Sequence, residues 1–224
     1  MERMARTHLD RKNIALGILI YRLRQGIDVY RIISINAGAA KRLGAQKVSS
    51  AFFSYVQLLS LESIALSICK IFDYENPKKP YRVNSIDGIM VRVAKHKFTA
   101  VQFKQVERFG RAHRNATACA DPIEFLRDTV AIFRKQHAVA LKLLRDFRNQ
   151  QAAHSQLGAK FKNLPSIDEF ELIFDFANDF YRLISDGILN VGPASFAPHA
   201  GTGLLNTFKN LGLADARFDF VTKP

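Results

Sequence analysis

The chain has 224 residues, of which 48% are apolar and 24% are charged. This size and balance fit one large domain, or one domain with an appendage, and argue against disorder along the whole chain. Lys and Arg total 33 against 20 Asp and Glu, which gives a net charge of +13. So positive a surface favours polyanionic partners such as nucleic acid or anionic lipid.

The cysteine content and the N-terminal region indicate in which cellular compartment the chain is expected. Cys69 and Cys119 are too few for a disulfide framework or a four-ligand zinc site, so a reduced, cytoplasmic chain is expected. The apolar run over residues 14–21 is followed at once by Arg22 and Arg24. It is shorter than the about 20 apolar residues that span a bilayer, and no cleavage site follows it. We therefore expect no signal peptide and no transmembrane helix.

Helical periodicity dominates the first half of the chain. Residues 10–45 predict one long or one broken helix. An apolar stripe over residues 47–73 predicts the clearest long helix, which ends before a loop rich in proline and charge. Shorter helices are predicted over residues 85–96 and 98–113, the second weakened near its end by Gly110.

Two capping signals organise the second half. Asp121 and Pro122 are a capping residue followed by proline at the first helical position, and the stripe after them predicts one helix to about residue 150. A capping box at Ser166 and Glu169 begins a helix expected to reach about residue 190. Residues 193–224 are richer in Gly, Pro and Ala, and predict a loose tail or a short docked helix.

These patterns predict an all-α fold. No run alternates with period 2, and no internal repeat of roughly 20–50 residues is present. The expected architecture is an up-and-down helical bundle over residues 1–192, with an extra N-terminal helix. Residues 193–224 form a C-terminal extension to it.

Most motifs that carry chemistry are missing from the sequence. There is no phosphate-binding loop of the Walker type, no GxSxG elbow and no HExxH pair. The histidines lack metal-ligand spacing, so neither a metal nor a cofactor is expected. The end of the helix predicted from residue 122 to about residue 150 stands out, because Arg148 continues its apolar stripe. A buried guanidinium there must be paired or line a cleft.

The segment around Arg148 resembles a known family. Arg148, Asn149 and, after four more residues, His154 follow the Arg–polar–His pattern of the HEPN superfamily. Its members are small helical bundles, and many are ribonucleases of toxin–antitoxin, phage-defence and RNA-processing systems. The helix Leu61–Asp73 before a charged loop, and the helix Leu141–Arg148 that delivers the motif, resemble the abortive-infection type U branch. The resemblance spans about residues 45–190.

The Arg–His spacing occurs more than once. It recurs at Arg3 and His8 and at Arg108 and His113, but only Arg148 is followed by Asn and closes a strongly predicted helix. A structural Arg with a surface His is the alternative interpretation of the pair at 148 and 154. On an unbroken helix these two side chains point apart. They would converge if the helix bends or ends between them, or across a symmetric interface.

The resemblance implies a metal-independent endoribonuclease of toxin or phage-defence type. The RNA 2′-OH attacks the phosphodiester and leaves a 2′,3′-cyclic phosphate. His154 suits proton transfer, Arg148 suits the charged phosphorane, and Asn149 suits the orientation of His154 or the phosphate. Two protomers usually complete the cleft in this family, so a homodimer is expected, with RNA as substrate and an antitoxin protein as a further partner.

Further residues are predicted to support the site around Arg148 and His154, either by pairing with Arg148 or by contacting RNA. Glu62 falls on the apolar stripe of its helix, and it or Asp73 is expected to pair with Arg148. Three cations on one side of the motif helix are candidate RNA contacts, with a solvated helix face as the alternative. They are Arg134, Lys142 and Arg145.

Two other functions stay open at this point. One is a non-catalytic, dimeric HEPN-like module that binds RNA or protein, in which Arg148 and His154 are structural. The other is a basic DNA-binding protein with a helix-turn-helix in residues 85–116, where Arg108, Arg111 and Arg114 cluster, although no clean recognition-helix pattern appears.

Overall fold

The computed structural model describes residues 2–36, 50–74, 84–114, 121–153 and 164–194, with a few positions between 203 and 210. All regular structure in these ranges is helical, so the all-α prediction is confirmed. The helices are α1 (Glu2–Ile35), α2 (Ser50–Ile71), α3 (Ile86–Val93), α4 (Ala100–Arg114), α5 (Pro122–Gln136), α6 (Ala138–Ala153) and α7 (Ile167–Arg182). A π-helical turn, Leu183–Leu189, continues α7.

Both capping signals act as predicted. The Asp121 carboxylate accepts hydrogen bonds from the backbone N–H groups of Ile123 and Glu124, at 2.7 and 3.4 Å. The Ser166 hydroxyl accepts from the N–H of Glu169, and the Glu169 carboxylate accepts from the N–H of Ser166. These bonds satisfy backbone donors that the first helical turn leaves unpaired, so α5 and α7 begin where the sequence indicates.

The predicted single helix from residue 122 to about residue 150 is wrong at one position. His137, with φ −104° and ψ 20°, separates α5 from α6. Its N–H still donates to the carbonyl of Phe133, and its own carbonyl accepts from Leu141, each at 3.0 Å. The hydrogen-bond ladder therefore continues across a residue that is not α-helical. The buried face of α6 consists of Ala140, Leu144 and Phe147.

The last long helix ends near residue 190, as expected, but its last turn is π-helical rather than α-helical. The π-helical turn extends α7 to Leu189, and Asn190 then adopts φ 54°, in the left-handed region that Asn tolerates better than most residues. The chain therefore leaves the helix before Gly192. Within the turn, Ser185 is buried and accepts a 2.7 Å hydrogen bond from the Asn13 amide of α1.

The chain divides into two compact units. The first unit comprises residues 1–21 and 65–195, and the second unit comprises residues 22–64 and 196–224. In the described part of the second unit, Gly26 of α1 lies against α2, because a Cβ there would be 3.2 Å from the carbonyl oxygen of Ser60. The division expected at residue 192 stays a prediction, since much of the tail, Leu205 and Phe208 included, lies outside the described residues.

An aromatic cluster forms the centre of the first unit. Phe176 of α7 stacks on Phe133 of α5 with ring centroids 3.8 Å apart, and it contacts Phe109 of α4 at 5.4 Å. Gly110 lets α4 and α5 approach, because a Cβ there would lie 1.9 Å from Cε1 of Phe125. Buried phenylalanines bury large areas and so dominate such a core. This packing fixes α4, α5 and α7 against one another.

One helix is apolar enough to raise the question of a membrane. By length and composition alone, Ala51–Ile71 of α2 would suffice for a span, with a mean hydropathy of 1.5. Core helices of soluble proteins meet the same criterion, and 44% of the apolar window is buried, including Ile64 and Ile68. The segment is weak evidence for a span, and the expected lack of a transmembrane helix stays a prediction.

Candidate functional site

Arg148 lies near the end of α6, at the edge of its buried face rather than at its centre. Its side chain is 28% exposed. The Asn149 amide oxygen accepts hydrogen bonds from Nε and Nη2 of Arg148, at 3.3 and 3.1 Å. Nη1 lies 3.9 Å from a carboxylate oxygen of Asp73, just past the end of α2. Because both partners of this ion pair are partly exposed, it contributes about 1 kcal/mol or less.

A second arginine, Arg145, also lies near the C-terminal end of α2, as the environment of Cys69 shows. Cys69 is buried one turn before Asp73, and burial raises the pKa of its thiol. The positive charge of Arg148 lowers this pKa, Asp73 raises it, and Arg145 lowers it. The arginines of α6 therefore lie close to the C-terminal end of α2, where the helix dipole favours positive charge.

The guanidinium group of Arg134 is engaged in contacts within the protein. Its Nη1 donates to the Asp87 carboxylate at 2.9 Å, and its Nη2 donates to the carbonyl of Phe72 at 3.1 Å. The guanidinium carbon lies 4.3 Å from the centre of the Tyr74 ring, and the side chain is only 13% exposed. These contacts join α5 to the end of α2 and to α3. Arg134 could contact RNA only by giving them up.

Lys142 and Arg145 are placed differently from Arg134. Both are exposed on α6, and neither makes an ion pair with a residue in the described ranges. Residues 142, 145 and 149 follow one another at helical steps of three and four, so they lie along one side of the helix. Arg148 lies three residues after Arg145, at the border of this side, and we call Lys142, Arg145 and Arg148 the basic edge of α6.

Of the remaining predicted site residues, Asp73 and Glu62 are described by the structure and His154 is not. Of the two carboxylates proposed for Arg148, Asp73 is the one that the structure puts beside it. Glu62 lies half-buried on the part of α2 that belongs to the second unit. His154 lies outside the described residues, and α6 is helical up to Ala153, the residue before it. Its position relative to Arg148 stays a prediction.

Comparison with known proteins assigns the family. The model of the AbiU2 family, a HEPN family, matches residues 7–203. The chain belongs to the AbiU2 family. The HEPN resemblance inferred from Arg148, Asn149 and His154 is thereby confirmed at the level of family and branch. No curated protein and no solved structure matches this AbiU2-family chain.

The AbiU2-family chain also has a group of polar residues that no sequence motif predicts as a whole. His113 of α4 lies 3.0 Å from the carboxylate of Asp179 on α7, beside Arg108 and Arg182. The repeated Arg–His spacing at 108 and 113 was a signal for the α4 half. Nothing in the sequence pointed to Asp179, which is distant along the chain. Within the described residues, no group of three His, Cys, Asp or Glu side chains is arranged to hold a metal ion.

Proposed function

We propose that this chain is a metal-independent endoribonuclease of toxin or phage-defence type. It cleaves RNA through attack of the 2′-OH and releases a 2′,3′-cyclic phosphate. The observation that carries the proposal is the partly exposed guanidinium of Arg148, held by Asn149 and Asp73 at the end of the basic edge of α6. Membership of a HEPN family supports it.

The chemistry requires few groups from the protein, because RNA supplies its own nucleophile. His154 accepts the proton of the 2′-OH as it attacks phosphorus, since an imidazole exchanges protons near neutral pH. Arg148 donates to the non-bridging oxygens and stabilises the phosphorane, whose charge exceeds that of the substrate. When RNA binds, Arg148 gives up its 3.9 Å contact with Asp73 and contacts the phosphate instead, while Asn149 keeps the guanidinium oriented.

We place the complete site between two copies of the chain. At about 100° per residue, a helix that ran from Arg148 to residue 154 would turn about 600°, leaving the two side chains roughly 120° apart. The helical geometry of α6 as far as Ala153 therefore favours pairing of motifs across a homodimer. The second His154 then protonates the leaving 5′-oxygen, and Lys142 and Arg145 guide the phosphate chain. An antitoxin protein would restrain this activity in the cytoplasm.

A second candidate function is a non-catalytic dimeric module that binds RNA or a partner protein. The observation in its favour is that Asn149 and Asp73 already occupy the Arg148 guanidinium, as expected of a structural arginine. In this case the basic edge of α6 would bind RNA without cleaving it.

An RNA-cleavage assay with and without a chelator separates the two candidates. The full chain is incubated with RNA, and the new ends are analysed for 2′,3′-cyclic phosphate. Arg148→Ala and His154→Ala should each lower the rate at least about 100-fold. Matched controls are Arg127→Ala on α5 and His8→Ala on α1, both exposed, which should retain the wild-type rate.

Two outcomes each favour one candidate, and a third refutes the site. Cleavage that survives chelation and is lost in His154→Ala supports the nuclease. RNA binding without cleavage, in a preparation shown to be dimeric, supports the module. Cleavage that persists unchanged in both Arg148→Ala and His154→Ala would refute the assignment of this site.

A further inference from the structure

A cleft of about 370 Å³ lies between α4, α7 and the π-helical turn, wholly within the first unit. Its polar lining comes from both sides. Gln105, Arg108 and His113 belong to α4, whereas Asp179, Arg182 and Asp186 belong to α7 and the turn. The volume is at the lower end of the range typical of small-ligand sites. The cleft contains none of the residues of the basic edge of α6.

His113 is held firmly at this cleft. Its Nε2 lies 3.0 Å from Oδ2 of Asp179, and its side chain is only 15% exposed. The imidazole also packs against Phe109 and Phe176, with ring centroids 4.8 and 4.9 Å away. The hydrogen bond and the ring contacts together set the orientation of the imidazole, which is a requirement of a pre-organised binding site.

The two arginines of the cleft are available to bind a ligand. Arg108 and Arg182 are exposed and make no ion pair with a residue in the described part of the chain. Arg111, one turn along α4, instead lies 3.5 Å from Glu107 and outside the cleft. Guanidinium groups bind phosphate oxygens through two parallel hydrogen bonds, so a pair of free ones is suited to a phosphate.

The same cleft offers acceptors for hydroxyl groups. Gln105 Oε1 is buried and has no hydrogen-bond partner among the described residues, a state that costs free energy unless a water molecule or a ligand donates to it. It lies beside Gly187, where a Cβ would be only 2.8 Å away. The carboxylate of Asp186 is exposed nearby, and acidic side chains commonly accept hydrogen bonds from ribose hydroxyls.

The charges indicate what kind of phosphate would bind. Arg108 and Arg182 are balanced by Asp179 and Asp186, so the cleft lacks the excess positive charge that a polyphosphate would need. A ligand with one phosphate and several hydroxyl donors uses both sets of groups. π-helical turns occur frequently at functional sites, which agrees with a site on this turn.

We propose that the cleft binds a ribonucleoside monophosphate. Its phosphate contacts Arg108 and Arg182, with His113 oriented toward it by Asp179. Its sugar hydroxyls donate to Asp186 and to the free amide oxygen of Gln105. This ligand site is separate from Arg148, and it does not depend on the proposed ribonuclease activity.

Isothermal titration of the full chain with the four ribonucleoside 5′-monophosphates tests the proposal. Inorganic phosphate and the unphosphorylated nucleosides are titrated as comparison ligands. At least one nucleotide should bind with a Kd below about 1 mM, and at least about tenfold more tightly than phosphate or its nucleoside, since both sets of groups are then engaged. Equal binding of phosphate alone, or no binding of any nucleotide at millimolar concentration, overturns the proposal.

Variants locate the binding. Arg108→Ala and Arg182→Ala should each weaken it about tenfold or more, because each removes a charged hydrogen bond. Arg111→Ala, on the same helix but outside the cleft, is the matched control and should bind normally. Ala112→Leu adds volume at the cleft without removing charge, and should also weaken binding.

The binding readout keeps this inference distinct from the proposed function. Arg148→Ala should lower the rate of RNA cleavage at least about 100-fold and leave the nucleotide affinity unchanged. Circular dichroism and thermal melting confirm that each variant is folded. Wild-type affinity in Arg108→Ala, Arg182→Ala and Ala112→Leu would show that the nucleotide binds elsewhere.

Discussion

Substitution of Gly110 by Ala tests the packing of α4 on α5. Intrinsic helix propensity favours Ala over Gly by about 1 kcal/mol, so an unpacked site would gain stability. At this site the new Cβ would lie 1.9 Å from Cε1 and 2.3 Å from Cζ of Phe125, far inside the ordinary contact of about 3.5 Å. Phe125 is buried, so its ring can move only by displacing other core residues.

The magnitude follows from these two opposing effects. Overpacking of a core costs about 1–3 kcal/mol, and so deep an overlap belongs at the upper end of that range. Subtraction of the propensity gain leaves a net loss of about 2 kcal/mol in the free energy of unfolding. Urea denaturation measures it, as a lower midpoint with an unchanged slope.

Two further variants identify the cause. Ala112→Gly on the exposed side of α4 should lose about 1 kcal/mol through propensity alone. In the background of Phe125→Leu, Gly110→Ala should be less destabilising by at least about 1 kcal/mol, because the obstructing ring is gone. An increase in stability for Gly110→Ala by itself would refute the close contact between α4 and α5.

Three more predictions concern the end of α2 and the junction at His137. Arg134→Met should lower the free energy of unfolding by about 2 kcal/mol or more in urea denaturation, because it leaves a carboxylate and a carbonyl unpaired; unchanged stability would contradict its structural role. In a Cys119→Ser background, alkylation of Cys69 at fixed pH should be slower in Arg148→Ala and faster in Asp73→Asn, since the first raises and the second lowers the thiol pKa. Burial lowers the pKa of His137 below 6.5, so unfolding free energy should fall as the pH drops through about 6.5, where the unfolded chain takes up the proton. His137→Gln should lose that component in pH-dependent urea titrations, and an identical pH profile would exclude His137 as its source.

Local signals in the sequence predicted the helix starts, and long-range contacts decided the rest. Asp121 and Ser166 cap helices through residues two and three positions away, so their roles are visible in a short window. Arg134 is paired with Asp87, which is 47 residues away, and no periodic pattern encodes that partner. The apolar stripe that predicts a buried Arg148 continues through His137, so it gives no sign that the α-helix is interrupted there.

The candidate site was predictable only in part for the same reason. The pattern at Arg148 and Asn149 is local, and it identified the family. The choice of Asp73 as the neighbouring carboxylate depends on how α2 packs on α6, which the sequence does not display. The sequence alone indicates Gly110 as a weak point in a helix, whereas its missing side chain permits α4 to approach Phe125.

The π-helical turn allows this region to lose one residue and keep its helical register. Such a turn contains one residue more than an α-helix needs, so removal of a single residue at the exposed position of Asp186 would allow ordinary α-helical geometry. Because the turn spreads nearly the same rotation over one residue more, the later side chains would keep nearly the same directions. The cleft would lose the carboxylate of Asp186, and the aromatic core before the turn would be untouched. Relatives shorter by one residue here should thus keep the bundle, and such natural deletions would report on the acidic side of the cleft.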